Sequence, residues 1–143
     1  MQIKVRFADL SEEKILTARK VQLLIRLIKQ HVREVSFAVE RRIKPSMPVD
    51  TGRARASWGH WTPQDIHRIS INNPPSPGDA LWTEKDDGYT IEQGSNVGYI
   101  ASLNDGSSKQ APAGFIDRAE EAGQQAIDAK VEEAIARFAR DDS

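Results

Sequence analysis

The sequence predicts an α+β fold in a single domain, residues 1–143: a long N-terminal helix, an antiparallel sheet of about four strands with a hairpin arm, and a C-terminal helix. Three observations predict it. Apolar residues recur by threes and fours from residue 11 to 43, a second such stripe runs from about residue 114 to 140, and short alternating segments with turn residues lie between them. Residues 2–7 open the chain with Ile3, Val5 and Phe7 at period two, the pattern of a strand with one buried face. Asp9 stands three residues before Glu12, the spacing of a capping box at the start of a helix. The first helix, 11–43, carries Val21, Leu24, Ile28, Val32, Val35, Val39 and Ile43 as one stripe. Leu23, Ile25, Leu27 and Phe37 widen that stripe, and either the chain's own sheet or another subunit covers the surplus. Pro45 and Pro48 end the helix.

The middle of the chain reads as strands and turns. Ser57–Trp61 is expected to be extended, and Arg68-Ile69-Ser70-Ile71-Asn72 alternates as a strand. The three prolines of 73–78 make a loop. Leu81-Trp82-Thr83 and Tyr89-Thr90-Ile91 flank Lys85-Asp86-Asp87-Gly88, an Asp-Gly hairpin that, with the loop, is expected to form an exposed arm. The last helix is expected to begin near Pro112 or Gly114 and run to about Arg140. Ile116, Ala119, Gly123, Ile127, Val131, Ala134 and Phe138 form its inner stripe, with small residues that allow close approach to a neighbour.

Composition narrows the chemistry. The absence of cysteine excludes disulfides, thiolate nucleophiles and Cys-based zinc sites. His31 sits in a helical pattern far along the chain from His60 and His67, and those two have no carboxylate at metal-ligand spacing beside them, so neither a metal nor another cofactor is expected. No apolar run spans a bilayer, and the alternating start is unlike a signal peptide, so a membrane role is not expected. Residues 1–58 hold 13 Lys/Arg and 6 Asp/Glu, and residues 59–143 hold 7 and 15. Such asymmetry fits a basic face for nucleic acid, and equally a subunit whose basic side meets the acidic side of its neighbour.

Two stretches are dense in turn and anchor residues. In Pro48-Val49-Asp50-Thr51-Gly52-Arg53-Ala54-Arg55-Ala56-Ser57-Trp58, Asp50 is placed to cap backbone N–H groups and Gly52 to permit a turn. Arg53 and Arg55 share a face if the segment is extended, and Trp58 anchors it in the core or an interface. Asp50-Thr51-Gly52 is also the triplet of aspartic proteases. Those enzymes need two carboxylates sharing a proton, whereas cations at Arg53 and Arg55 favour full ionisation of Asp50. In the second stretch, Tyr99 and Leu103 fit one helical turn, Asn104-Asp105-Gly106 a reversal, and Pro112-Ala113-Gly114-Phe115 the entry to the last helix.

Together, Pro-Val-Asp-Thr-Gly-Arg-x-x-x-Ser and Tyr-x-x-x-Leu-Asn-x-Gly-x-Ser-x-Gln-Ala-Pro-x-Gly-Phe resemble the lambdoid-phage family of small neck, head–tail connector or tail-completion proteins. The resemblance covers about residues 12–125 and implies a virion structural protein, not an enzyme. It implies a homo-oligomeric ring around the DNA channel, made in the host cytoplasm, with connector or head-completion and tail-tube or tail-terminator proteins as partners. Passing contact with genomic DNA is also implied. A tail terminator, minor tail component or free DNA-binding protein stands as the alternative. Carried over by motif position, Asp50, Thr51, Gly52, Arg53 and Ser57, then Tyr99, Leu103, Asn104, Gly106, Gln110, Pro112, Gly114 and Phe115, are expected at turns and subunit contacts. Arg55 and Trp58 join them from the reading of the residues themselves.

Overall fold

A computed structural model describes residues 1–7, 18–48, 52–69, 71–107 and 109–140. Its elements in chain order are β1 (Gln2–Arg6), α1 (Ala18–Ile43), a short α2 (Arg53–Ala56), β2 (Ala80–Lys85), β3 (Thr90–Ser95), α3 (Ile100–Asp105) and α4 (Phe115–Arg140). The expected capping box at Asp9 and Glu12, the stretch 11–17, Asp50 and Thr51 lie outside the described residues.

The sheet is antiparallel, in the order β1-β3-β2. Ile3 stands opposite Gln93 and Val5 opposite Ile91, while Trp82 stands opposite Gln93 from the other side. The α+β class holds, with three strands where about four are expected. Arg68, Ile69, Ile71 and Asn72 are not in a strand, Ser70 lying outside the described residues: Ile69 is 70% and Ile71 94% exposed, and no partner strand lies beside them among the described residues. The hairpin is present, but as the body of the sheet. β3 pairs on both sides, and the 86–88 turn is tied to α1 by an ion pair between Lys29 and Asp87 of 3.1 Å, so it does not stand off as an arm. Ser57–Trp61 is a tight turn, with Gly59 at φ +65°, rather than an extended run.

Both long helices are 26 residues, about 39 Å at the α-helical rise. They run antiparallel: Lys20 near the start of α1 donates to the Phe138 carbonyl near the end of α4, while Gly123 lies against Val35 and Val39. Leu24, Ile28, Val32, Val35, Val39 and Ile43 of α1 meet Ile116, Ala119, Ile127, Val131 and Ala134 of α4 over Ile3, Val5 and Ile91 of the sheet. Gly123 sits where α1, α4 and β1 converge. A Cβ there would lie 2.5 Å from a Val39 methyl and 3.3 Å from a Val5 methyl, so only glycine lets the three elements close up. Of the surplus apolar residues of α1, Leu27 packs onto the core and Phe37 stacks on Trp82 of the sheet, while Leu23 remains 43% exposed.

Candidate functional site

The first motif closes the end of α1. Gly52 is buried at φ +73°, and a Cβ on it would collide with the Asp65 carbonyl, so the chain turns where no side chain fits. The Gly52 carbonyl accepts from the Ala56 amide at 2.9 Å, starting α2. Because this segment is helical, Arg53 and Arg55 do not share a face. The Arg53 guanidinium reaches Asn73 Oδ1 at 3.3 Å and Asp79 at 3.7 Å, holding both ends of the proline loop. Arg55 turns back and donates to the carbonyls of Pro45 at 3.0 Å and Met47 at 2.9 Å, clamping the chain as it leaves α1.

Ser57 and Trp58 are fully buried. The indole of Trp58 donates to Gln93 Oε1 at 2.9 Å, and Gln93 Nε2 donates to the Ser36 carbonyl at 2.8 Å. This relay ties α2, the central strand and α1 through the core. Beside it, Glu40 accepts from the His60 amide at 2.7 Å and pairs with the His60 ring at 2.8 Å. Lys44 donates to the carbonyls of Trp58 at 2.9 Å and His60 at 2.6 Å. Burial pushes the Lys44 ammonium below its ordinary value, against the opposing pull of Glu40 and Asp65. Sequence reasoning missed Glu40, Gln93 and Lys44, and the only local signal was a charged residue on the apolar stripe at position 40.

His60 also begins a surface feature. Its ring lies 5.3 Å from Phe37 and 4.3 Å from Trp82, and Phe37 lies 4.9 Å from Trp82. The three rings form a partly exposed aromatic ledge at the β2 side of the sheet.

The second motif caps α4 from a distance. Asn104 Oδ1 accepts from the amides of Ile116 at 2.9 Å and Asp117 at 3.3 Å, and its Nδ2 donates to the Asp117 carboxylate at 2.8 Å. The Asn104 carbonyl accepts from the Gly114 amide. Gly106 and Gly114, at φ +86° and +72°, turn the chain out of α3 and into α4. Leu103 and Phe115 are buried beneath the loop, and the Pro112 carbonyl accepts from the Phe115 amide at 3.2 Å. Tyr99, 41% exposed, and the exposed Gln110 and Pro112 face outward. Among the described residues the two motifs thus lie mostly inside the fold, with these three side chains at its surface.

An open groove of about 350 Å³ lies between α1 and α4, floored by Val35, Ala38, Val39, Ala119 and Gly123. Among the described residues, no group of three or more His, Asp or Glu could hold a metal ion, and no helix is long and apolar enough to cross a membrane.

Residues 16–106 match the family model described as "Bacteriophage HK97-gp10, putative tail-component". The chain belongs to this family. The matched residues contain α1, the first motif, β2, β3 and α3, and stop at Gly106 of the second motif. β1 and α4 lie outside the match, although both share the core with α1. Membership in the HK97-gp10-like family makes this chain a phage tail-type component and places it among virion proteins. None of the curated proteins and none of the solved structures matches the chain.

Proposed function

We propose that the chain is a non-enzymatic structural subunit that joins or completes the head–tail interface, assembling as a homo-oligomeric ring around the DNA channel. The family match over residues 16–106 carries this reading. The geometry of the motifs supports it: Arg55, Trp58 and Asn104 are engaged in backbone clamps, a core relay and a helix cap, which is work for a scaffold. Its partners are further copies of itself, the connector or head-completion protein on one side and the tail-tube or terminator protein on the other. Genomic DNA passes through the ring.

Deleting the gene from the phage and imaging the lysate by electron microscopy tests the proposal. DNA-filled heads lying apart from finished tails are expected. Overlong tails would reassign the subunit to tail termination, and normal infectious virions would overturn the proposal.

A further inference from the structure

The two edges of the sheet are finished differently. At the β1 edge, the outward amides of Lys4 and Arg6 donate to Glu120 at 3.0 Å and Gln124 at 3.3 Å, and Gln124 donates back to the Arg6 carbonyl at 2.9 Å. Side chains of α4 therefore occupy the ladder positions that a further strand would take.

The β2 edge has no such cover. Residues 89 and 95 bond to the β1 side and Asn96 to Asp79, so the even positions of β3 face β2 and bond to residues 81, 83 and 85. Trp82 and Glu84 then point their N–H and C=O groups outward, and among the described residues nothing bonds to them. An open, bulge-free edge of this kind is a template for another strand. On the helix side it is continued by the aromatic ledge of Phe37, His60 and Trp82.

The same chain carries a segment with the opposite defect. Ile69 and Ile71, at strand spacing and β-branched, are 70% and 94% exposed, and their backbones make no hydrogen bond among the described residues. The residues on either side of it are tied to the fold. The Ile66 amide donates to the Pro63 carbonyl at 3.1 Å at one end, and Arg53 holds Asn73 and Asp79 at the other.

We infer that the segment bearing Ile69 and Ile71 docks as the fourth strand on the open β2 edge of a second copy of this chain, with the isoleucines against its aromatic ledge. Main-chain bonds to Trp82 and Glu84 supply affinity, and the alternate isoleucines supply register. Donor segment and acceptor edge are different surfaces, so the contact is head-to-tail, the kind from which a ring is built when the rotation between neighbours closes. The inference rests on the ring-forming reading and names the surfaces that make the ring.

The test uses the full chain, with self-association followed by analytical ultracentrifugation and backbone hydrogen exchange. Ile69→Asp with Ile71→Asp is expected to leave the melting temperature of the monomer unchanged, since both side chains are exposed, and to weaken self-association about a hundredfold or more. The Trp82 and Glu84 amides are expected to become protected when the wild-type chain assembles and to stay exchangeable in the double variant. Rings that form equally well from the double variant, or without protection at these amides, would overturn the inference and leave the ring reading standing. A wild-type chain that stays monomeric at millimolar concentration would overturn the inference, and the gene-deletion phenotype would then decide the head–tail role separately.

Discussion

Asn104 does across a loop what a helix N-cap does from the adjacent residue: its one oxygen takes two amides at the start of α4. Asn104→Ala should therefore cost about 1–2 kcal/mol, read as a lower urea midpoint with an unchanged slope. Trp58 presents the sharper case, because its indole is the donor to a glutamine side chain that is itself 1% exposed. Trp58→Phe leaves Gln93 Oε1 buried without that donor, a loss of about 1–3 kcal/mol before any cavity is counted, measurable by thermal denaturation. Lys44 gives a pH signature. Burial lowers its folded pKa below the ordinary 10.5, so the burial cost of the charge is fully present at low pH. Between the folded value and 10.5 the unfolded chain binds more protons, and stability should rise with pH there. A urea series into the alkaline range, comparing wild type with Lys44→Met, should show wild type gaining on the variant; parallel curves would remove the effect. None of these three roles was legible from spacing alone, since each side chain's hydrogen-bond partner lies 12 or more residues away, and for Trp58 and Gln93 the gap is 35.

At the scale of elements, legibility followed the length of the periodic signal. The stripes of α1 and α4 repeat over many turns, and the inner residues expected for α4 are those that it buries, with Phe138 half-buried at its end. The hairpin was legible because Asp87 and Gly88 supply the positive φ that the turn requires. Short segments misled for a physical reason. Alternation at 68–72 encodes a strand's side-chain preference but not the presence of a partner strand, and the Ser57–Trp61 segment turns because Gly59 and Glu40 meet there, a contact set by tertiary packing. The close packing of α1 on α4 at Gly123 yields the next prediction. By helix propensity alone, Gly123→Ala should stabilise α4 by up to about 1 kcal/mol. The added methyl would instead press on Val39 at 2.5 Å, so a net loss of about 1–3 kcal/mol is expected. A raised melting temperature would show that α1 and α4 part easily.

At the scale of the whole molecule, the charge asymmetry of the sequence takes a different form once folded. The basic N-terminal half and acidic C-terminal half are not opposite poles, because the chain folds one onto the other. Lys29 pairs with Asp87 and Arg33 with Glu84, joining α1 to the hairpin, while Arg53 meets Asp79. Two of the cations on α1, Lys29 and Arg33, are thus accompanied by carboxylates of the same subunit. Phosphate binding depends on releasing counterions from an uncompensated cationic surface, and each compensated lysine or arginine contributes less to it. The isolated chain should accordingly give a nearly flat fluorescence-anisotropy titration with duplex DNA at low salt. Glu84→Gln with Asp87→Asn, which unmasks Arg33 and Lys29, should raise whatever weak, salt-sensitive binding exists. Tight binding by the wild-type chain, falling steeply with salt, would favour a free DNA-binding protein over a subunit that DNA merely passes. With a flat titration, contact with DNA in the proposed ring would arise from the geometry of the channel rather than from affinity in the single subunit, as a wall past which a genome must move requires.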